Sequence, residues 1–202
     1  MSDLDKIHDP APSRFFVFMG VCGVGKSTVA RAVADALSGT FIEGDALHSR
    51  ENVKAMAEGR PLTDEERWPW LDAVCEAARS APPSEPVTIA CSALKKGYRD
   101  FMRAHLPEPI FLHLEGPEDV IRDRMARRQS HFMSPAMLAS QLSILEPPSA
   151  GPACHILDVR VSQDEVIAQA ISICRRHFPA AQPQGAMPGA DQEQYQHQRR
   201  KH

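Results

Sequence analysis

The sequence predicts an α/β fold, a doubly wound parallel sheet with helices on both faces. Three observations carry this. Five short apolar runs alternate with segments whose apolar residues recur at helical spacing. The first of them, Phe15–Met19, is continuously apolar rather than alternating, as expected of a strand buried on both faces. The first run also leads through a glycine-rich turn straight into a helical pattern.

The elements follow in order. Phe15–Met19 (FFVFM) reads as the first strand, and Ser27–Leu37 as a helix with Val29, Val33 and Leu37 on one stripe. Gly39 stands where a helix C-terminal cap is expected. Residues 40–42 form a second strand, delivering Glu43-Gly44-Asp45. Helices fit 49–58 and 64–80; Thr63 and Glu66 make a capping box for the second of these. Pro82, Pro83 and Pro86 then break the chain before the strand at 87–91. A helix at 95–105, a strand at 110–114, helices at 117–128 and 135–145, a strand at 155–159 and a helix at 163–177 complete the alternation. Pro117 opens its helix at a favourable first-turn position. No internal repeat is present.

At 202 residues the chain suits one domain with a buried core. Residues 1–13 read as a flexible leader, 14–178 as the folded domain, and 179–202 as a disordered tail. That tail is rich in Gln, Pro, Gly and Ala and holds too little apolar surface to offset its ordering entropy. Hydrophobic residues make up 43% and charged residues 24%, as in an ordinary soluble globular protein. The formal net charge of −3 gives no support to a nucleic-acid partner. No apolar run approaches the roughly 18 residues that span a bilayer, and the polar start lacks the features of a signal peptide. Five scattered cysteines without a CxxC pair favour a reducing compartment over disulfides or zinc, so a cytoplasmic protein is expected.

Gly20-Val21-Cys22-Gly23-Val24-Gly25-Lys26-Ser27 matches GxxxxGK[ST], the phosphate-binding P-loop, between a strand and a helix. Main-chain N–H groups of the loop and the first helical turn suit a polyphosphate, aided by the helix dipole. Lys26 can reach the β- and γ-phosphates of a nucleotide, and the Ser27 hydroxyl can ligate Mg²⁺. Thr28 offers a second hydroxyl near the α-phosphate. The motif alone does not separate a kinase from another nucleotidase. The absence of NKxD argues against a guanine-specific GTPase, and the small size against a motor or transporter.

Polar residues cluster at the carboxyl ends of the second and third strands, where open α/β sheets bind ligands. Asp45 can accept or orient the proton of an attacking hydroxyl, or it can cap the next helix. His48 suits a substrate hydroxyl or carboxylate, and equally a surface position. Arg50 and Lys54, four apart, could attract an anion or form a solvated face. Ser92 and Lys95 fall at the sheet edge, and Arg99 could offer a bidentate fork to a carboxylate. Arg124 and Arg128 share a helix face; they could clamp ATP phosphates under a closing lid, or lie on an exposed basic helix.

The strings MGVCGVGKST, EGDALHSRENVKAMAEGRPLTDEERWPWL, CSALKKGYRDFMR and HFMSPAMLASQLSILEPP resemble the gluconate kinases, relatives of shikimate and adenylate kinases. The resemblance runs from about Phe15 to about Val166. It implies ATP-dependent phosphorylation of D-gluconate to 6-phosphogluconate, with ATP and Mg²⁺. It also implies an adenylate-kinase-like three-layer sandwich around a five-stranded parallel sheet, a helical lid at about 122–140, and a homodimer. Carried onto this chain, Gly20 to Thr28 bind the phosphates and Mg²⁺, and Asp45 holds the substrate hydroxyl. His48 belongs to the substrate-side motif, and Lys95, Tyr98 and Arg99 to the CSALK/YRD segment. Arg124 and Arg128 match the lid-flanking arginines, and His131 and Gln141 the lid motif. The chain departs from the pattern at Ser49, where the family usually has proline, and at Ser130, where it usually has glycine. A kinase for another small polyhydroxy acid such as shikimate, and a nucleotide-binding regulator without catalysis, are the competing expectations.

Overall fold

The computed structural model describes residues 13–127 and 135–178. Five strands form one sheet: β1 (Phe15–Met19), β2 (Thr40–Glu43), β3 (Val87–Ala90), β4 (Ile110–Glu115) and β5 (Cys154–Asp158). All neighbours pair in parallel, in the order β2-β3-β1-β4-β5. Seven α-helices accompany them among the described residues: α1 (Lys26–Leu37), α2 (Arg50–Ala57), α3 (Asp64–Ser80), α4 (Lys96–His105), α5 (Glu118–Arg127), α6 (Pro135–Ile144) and α7 (Gln163–His177).

The alternation of side chains along β1 builds both cores. Phe16 and Phe18 enter one layer with Val29 and Val33 of α1 and with Val166, Ala170 and Cys174 of α7. Phe15, Val17 and Met19 enter the other with Leu71, Val74 and Ala78 of α3 and Met102 of α4. Every residue of β1 is therefore buried, which is why the strand is continuously apolar. The helices on the two faces turn a five-residue run into the centre of a three-layer sandwich.

Three local expectations are corrected. The residue in the left-handed region at the end of α1 is Ser38 (φ 52), not Gly39. Gly39 is required for another reason: a Cβ there would stand 2.4 Å from the carbonyl oxygen of Pro86, where β2 starts beside β3. Pro117 lies just before α5, whose first helical residue is Glu118; the Pro117 carbonyl accepts from Ile121 N–H at 3.2 Å. The leader does not extend to Ser13, which is buried and donates its N–H to the His177 carbonyl at 2.9 Å. The rest of the leader, and the tail from 179 onward, lie outside the described residues.

All five cysteines are free and buried. Burial pushes the Cys91 thiol up to about 12, so it packs as a small hydrophobe. No helix among the described residues is long and apolar enough to cross a membrane.

Candidate active site

The P-loop joins the carboxyl end of β1 to α1. Gly20 (φ 131) passes so near β4 that a Cβ would lie 2.5 Å from the Leu114 carbonyl oxygen. Its N–H donates to the Ser92 carbonyl at 3.2 Å, tying the loop to the segment after β3. Gly25 (φ 103) immediately precedes α1, and a Cβ there would meet nothing within 4 Å. The helix begins with no side-chain cap and no acidic residue in its first turn. Its leading N–H groups therefore lack the acceptor that Ser, Thr or Asp normally supplies. Such an arrangement fits a polyphosphate, and Ser27, in the first turn beside Lys26, is suited to hold Mg²⁺ against it. Lys26 Nζ bends back to the Val21 carbonyl at 3.0 Å.

Asp45 stands in a single turn of 3₁₀ helix (Gly44–Leu47) directly after β2. The indole Nε1 of Trp70 fixes that turn by donating to the Gly44 carbonyl at 2.7 Å. The capping alternative for Asp45 does not apply to α2, because Ser49 performs that role, accepting from Asn52 N–H at 3.1 Å. Ser49, where the chain departs from the family pattern, thus caps the start of α2.

His48 stacks on Trp70, with ring centroids 4.2 Å apart and planes inclined by 15°. Burial lowers its pKa; the nearby Asp45 opposes the shift and Arg67 reinforces it. Its Nδ1 is buried without a hydrogen-bond partner in the structure. A ring nitrogen left so is suited to a ligand hydroxyl.

Lys26, Asp45, His48, Ser92 and Tyr98 all line one cavity of about 420 Å³. Cys22 of the P-loop joins them, as do Arg67 and Trp70 of α3 and Gln141 of α6. Apolar side chains of α2 and α6, among them Val53, Met56 and Ile144, form part of the wall.

Behind this wall lies an ionic cluster on the first turn of α3. Asp64 accepts two hydrogen bonds from Lys95 Nζ, both at 2.8 Å, and one from the Tyr98 hydroxyl at 2.5 Å. These donors hold its carboxyl below the usual range. Arg67 donates to the Tyr98 oxygen at 3.1 Å and lies 3.6 Å from Asp64. Burial, then the bond to Asp64, raises the Tyr98 pKa.

Several sequence expectations change here. Arg99 is 3% exposed, and its guanidinium donates to the carbonyls of Ala93, Leu94 and Glu146 at 2.9 to 3.1 Å. It staples the segment after β3, including Ala93 at φ 42, and offers no free fork to a substrate. Lys95 serves Asp64 and does not line the cavity. Arg50 is exposed and also absent from the lining. Arg124 donates to the carbonyls of Val159 and Val161 at the end of β5, away from the cavity lining. Arg128 and His131 lie outside the described residues.

Arg67, Trp70 and the P-loop contact of Gln141 escaped the sequence reading. A signal existed for the first two. The capping box fixes the start of α3, and helical spacing then sets Asp64, Arg67 and Trp70 along one side of it.

No protein-family model matches the chain. The thermoresistant gluconokinase of Escherichia coli strain K12 is 40% identical over 163 residues, covering 80% of this chain and 93% of that protein. The crystal structure of a gluconokinase from Sinorhizobium meliloti 1021 is 43% identical with a TM-score of 0.73, covering 83% of this chain and 93% of that one. An unliganded sugar kinase from Janibacter sp. HTCC2649 is 44% identical at a TM-score of 0.73, covering 80% and 94%. Identity at this level across nearly the whole length of the relatives, with a P-loop and an acidic turn opening on one cavity, leads to one assignment: the chain belongs to the gluconokinase family.

Proposed function

We propose that this protein phosphorylates D-gluconate to 6-phospho-D-gluconate, using ATP with Mg²⁺ bound at Ser27. The observation that carries the reading is the presence of Lys26 and Asp45 in the lining of one cavity. A phosphoryl donor held by the P-loop would meet an alcohol held by Asp45 within that space.

In the proposed mechanism the loop from Gly20 to Gly25 and the first turn of α1, through Thr28, hold the triphosphate. Lys26 leaves the Val21 carbonyl and offsets charge on the β- and γ-oxygens as the bond to the leaving group lengthens. Magnesium, when bound, supplies further neutralisation of the phosphate oxygens. Asp45 accepts a hydrogen bond from the attacking hydroxyl and aligns its lone pair; in a loose transition state this alignment matters more than early proton removal. His48, neutral at physiological pH through its lowered pKa, hydrogen-bonds a second hydroxyl through Nδ1. Tyr98 borders the same space. The proposal assigns 14–178 to the kinase domain and about 122–140 to its lid, with Arg128 and His131 meeting the nucleotide or substrate on closure and Arg124 exchanging the Val159 and Val161 carbonyls for the nucleotide at the same time. It also takes the enzyme to be a cytoplasmic homodimer feeding the pentose phosphate route, a setting compatible with five free cysteines.

An assay of ADP release with a panel of sugar acids tests the reading. Turnover that requires Mg²⁺ and is greatest with D-gluconate is expected. Turnover with shikimate or another acid but none with gluconate would replace the substrate. Tight ADP binding without turnover on any acid would favour the regulator.

A further inference from the structure

Between Gly20 and Gly25 the phosphate loop reads Val21-Cys22-Gly23-Val24. Val21, Cys22 and Val24 are buried, and their side chains belong to the core layer that holds Phe16, Phe18 and α1. Gly23 stands among them at φ 82, a backbone conformation that favours glycine, and has no side chain with which to anchor itself.

The missing contact comes from α5. A Cβ on Gly23 would stand 2.5 Å from Cγ and 2.9 Å from Sδ of Met125, and 3.2 Å from Cγ2 of Ile121. Met125 and Ile121, one turn apart on α5, therefore pack directly on the Gly23 backbone. Two residues further on, a Cβ at Gly25 would meet nothing within 4 Å. The loop is thus packed at Gly23 and open where α1 begins. Ile121 is itself a buried core residue, and Met125 is half-buried against the same layer. Arg124, beside Met125, donates to the Val159 and Val161 carbonyls after β5, so the helix that carries Met125 is held in turn. Met125 does not line the cavity, so it acts through the loop and on no ligand within that space.

We propose that Met125 is a positioning residue for the phosphate loop. It holds the Gly23 backbone in the shape that receives a polyphosphate, in place of the side chain that Gly23 lacks. A loop held in shape before the nucleotide arrives loses less freedom on binding, and that difference adds to affinity. A thioether suits the position because it is unbranched and polarizable and fills an irregular gap above a glycine. The proposal rests on the assignment of Gly20 to Thr28 to the nucleotide phosphates, and names what keeps that loop in place.

The test compares Met125→Ala, Met125→Val and Met125→Leu with wild type, and with Ile173→Ala, a truncation in the same core layer on α7. The measurements are ADP affinity by calorimetry, the separate KM values for ATP and gluconate, and the melting temperature. Met125→Ala is expected to weaken ADP binding and raise the ATP KM by about 10-fold, with the gluconate KM within about threefold of wild type. Met125→Leu, of similar volume, is expected to stay within about threefold throughout, and Met125→Val, which loses the sulfur, to fall between. Ile173→Ala is expected to lower the melting temperature while its ADP affinity stays within about threefold of wild type. An ADP affinity for Met125→Ala equal to that of wild type overturns the proposal. So does the same loss of ADP affinity in Ile173→Ala, which would trace it to general loosening of the core. If Met125→Ala does not fold, unchanged ADP affinity in Met125→Val overturns it instead. Wild-type protein that takes up no ADP would remove the nucleotide assignment beneath the proposal, a result read before any variant is made.

Discussion

The side-chain oxygen of Gln141 accepts a hydrogen bond from the main-chain N–H of Cys22 at 2.6 Å, joining α6 to the phosphate loop across 119 residues of sequence. Both residues line the cavity, so the contact stands at the junction of the nucleotide and substrate sides. The same region is bound again by Glu146, whose N–H donates to the Leu94 carbonyl at 3.0 Å. The segment from α6 to Glu146 is thereby fastened to both the P-loop and the loop after β3.

Replacing Gln141 with leucine removes the acceptor and leaves a loop N–H without its partner. Such a loss costs about 1–3 kcal/mol, so kcat/KM for gluconate should fall by about 10- to 100-fold. The melting temperature should fall as well, by about 2–4 °C for each kcal/mol lost. Steady-state kinetics beside a thermal melt checks this. Wild-type kinetics in Gln141→Leu would show that the contact carries no catalytic consequence.

Much of this arrangement was readable from the sequence, and the remainder has a physical reason. The strands were visible because β1, β3 and most of β4 are buried on both faces, so β1 is continuously apolar and the other two are mostly so. The P-loop and Asp45 were visible because their positions follow from strand ends. Arg99 and Lys95 were misread because a basic residue looks the same in sequence whether it meets a ligand or a carbonyl. The carbonyls that engage Arg99 come from segments 5 to 47 residues away, and Asp64 lies 31 residues from Lys95. Arg67 was hidden because its partner Tyr98, to which it donates at 3.1 Å beside the cavity, lies 31 residues away.

Asp45→Asn keeps the shape of the 3₁₀ turn but weakens the acceptor for the substrate hydroxyl. The turn is held independently by Trp70, so the protein should fold and bind ADP as wild type does. Turnover should drop by about 100-fold or more. Parallel loss of ADP affinity would instead give Asp45 a structural role.

Lys26→Ala should remove charge stabilisation at the phosphates and reduce turnover by at least about 100-fold. Its single hydrogen bond goes to the exchangeable Val21 carbonyl, within the same loop. Fold stability should therefore barely change, and circular dichroism melts with ADP-free protein would check that. Retention of full activity would contradict the mechanism.

His113 gives a pH dependence of stability that is separable from catalysis. It lies in β4, is 1% exposed, and its Nδ1 has no hydrogen-bond partner in the structure. Burial, assisted by the charge of Arg99, lowers its pKa from 6.5 to about 4. The folded protein therefore favours the neutral ring, while the unfolded chain takes up a proton near pH 6.5. Stability from this group is complete above about pH 6.5, declines as pH falls toward 4, and changes no further below that. The full span is about 3 kcal/mol at most. Urea melts of wild type and His113→Gln between pH 7.5 and 4 measure it. Whatever its starting stability, the variant's curve should lose most of this slope, since a glutamine in the same place has no proton to gain. Parallel curves for the two proteins would assign the acid sensitivity to other groups.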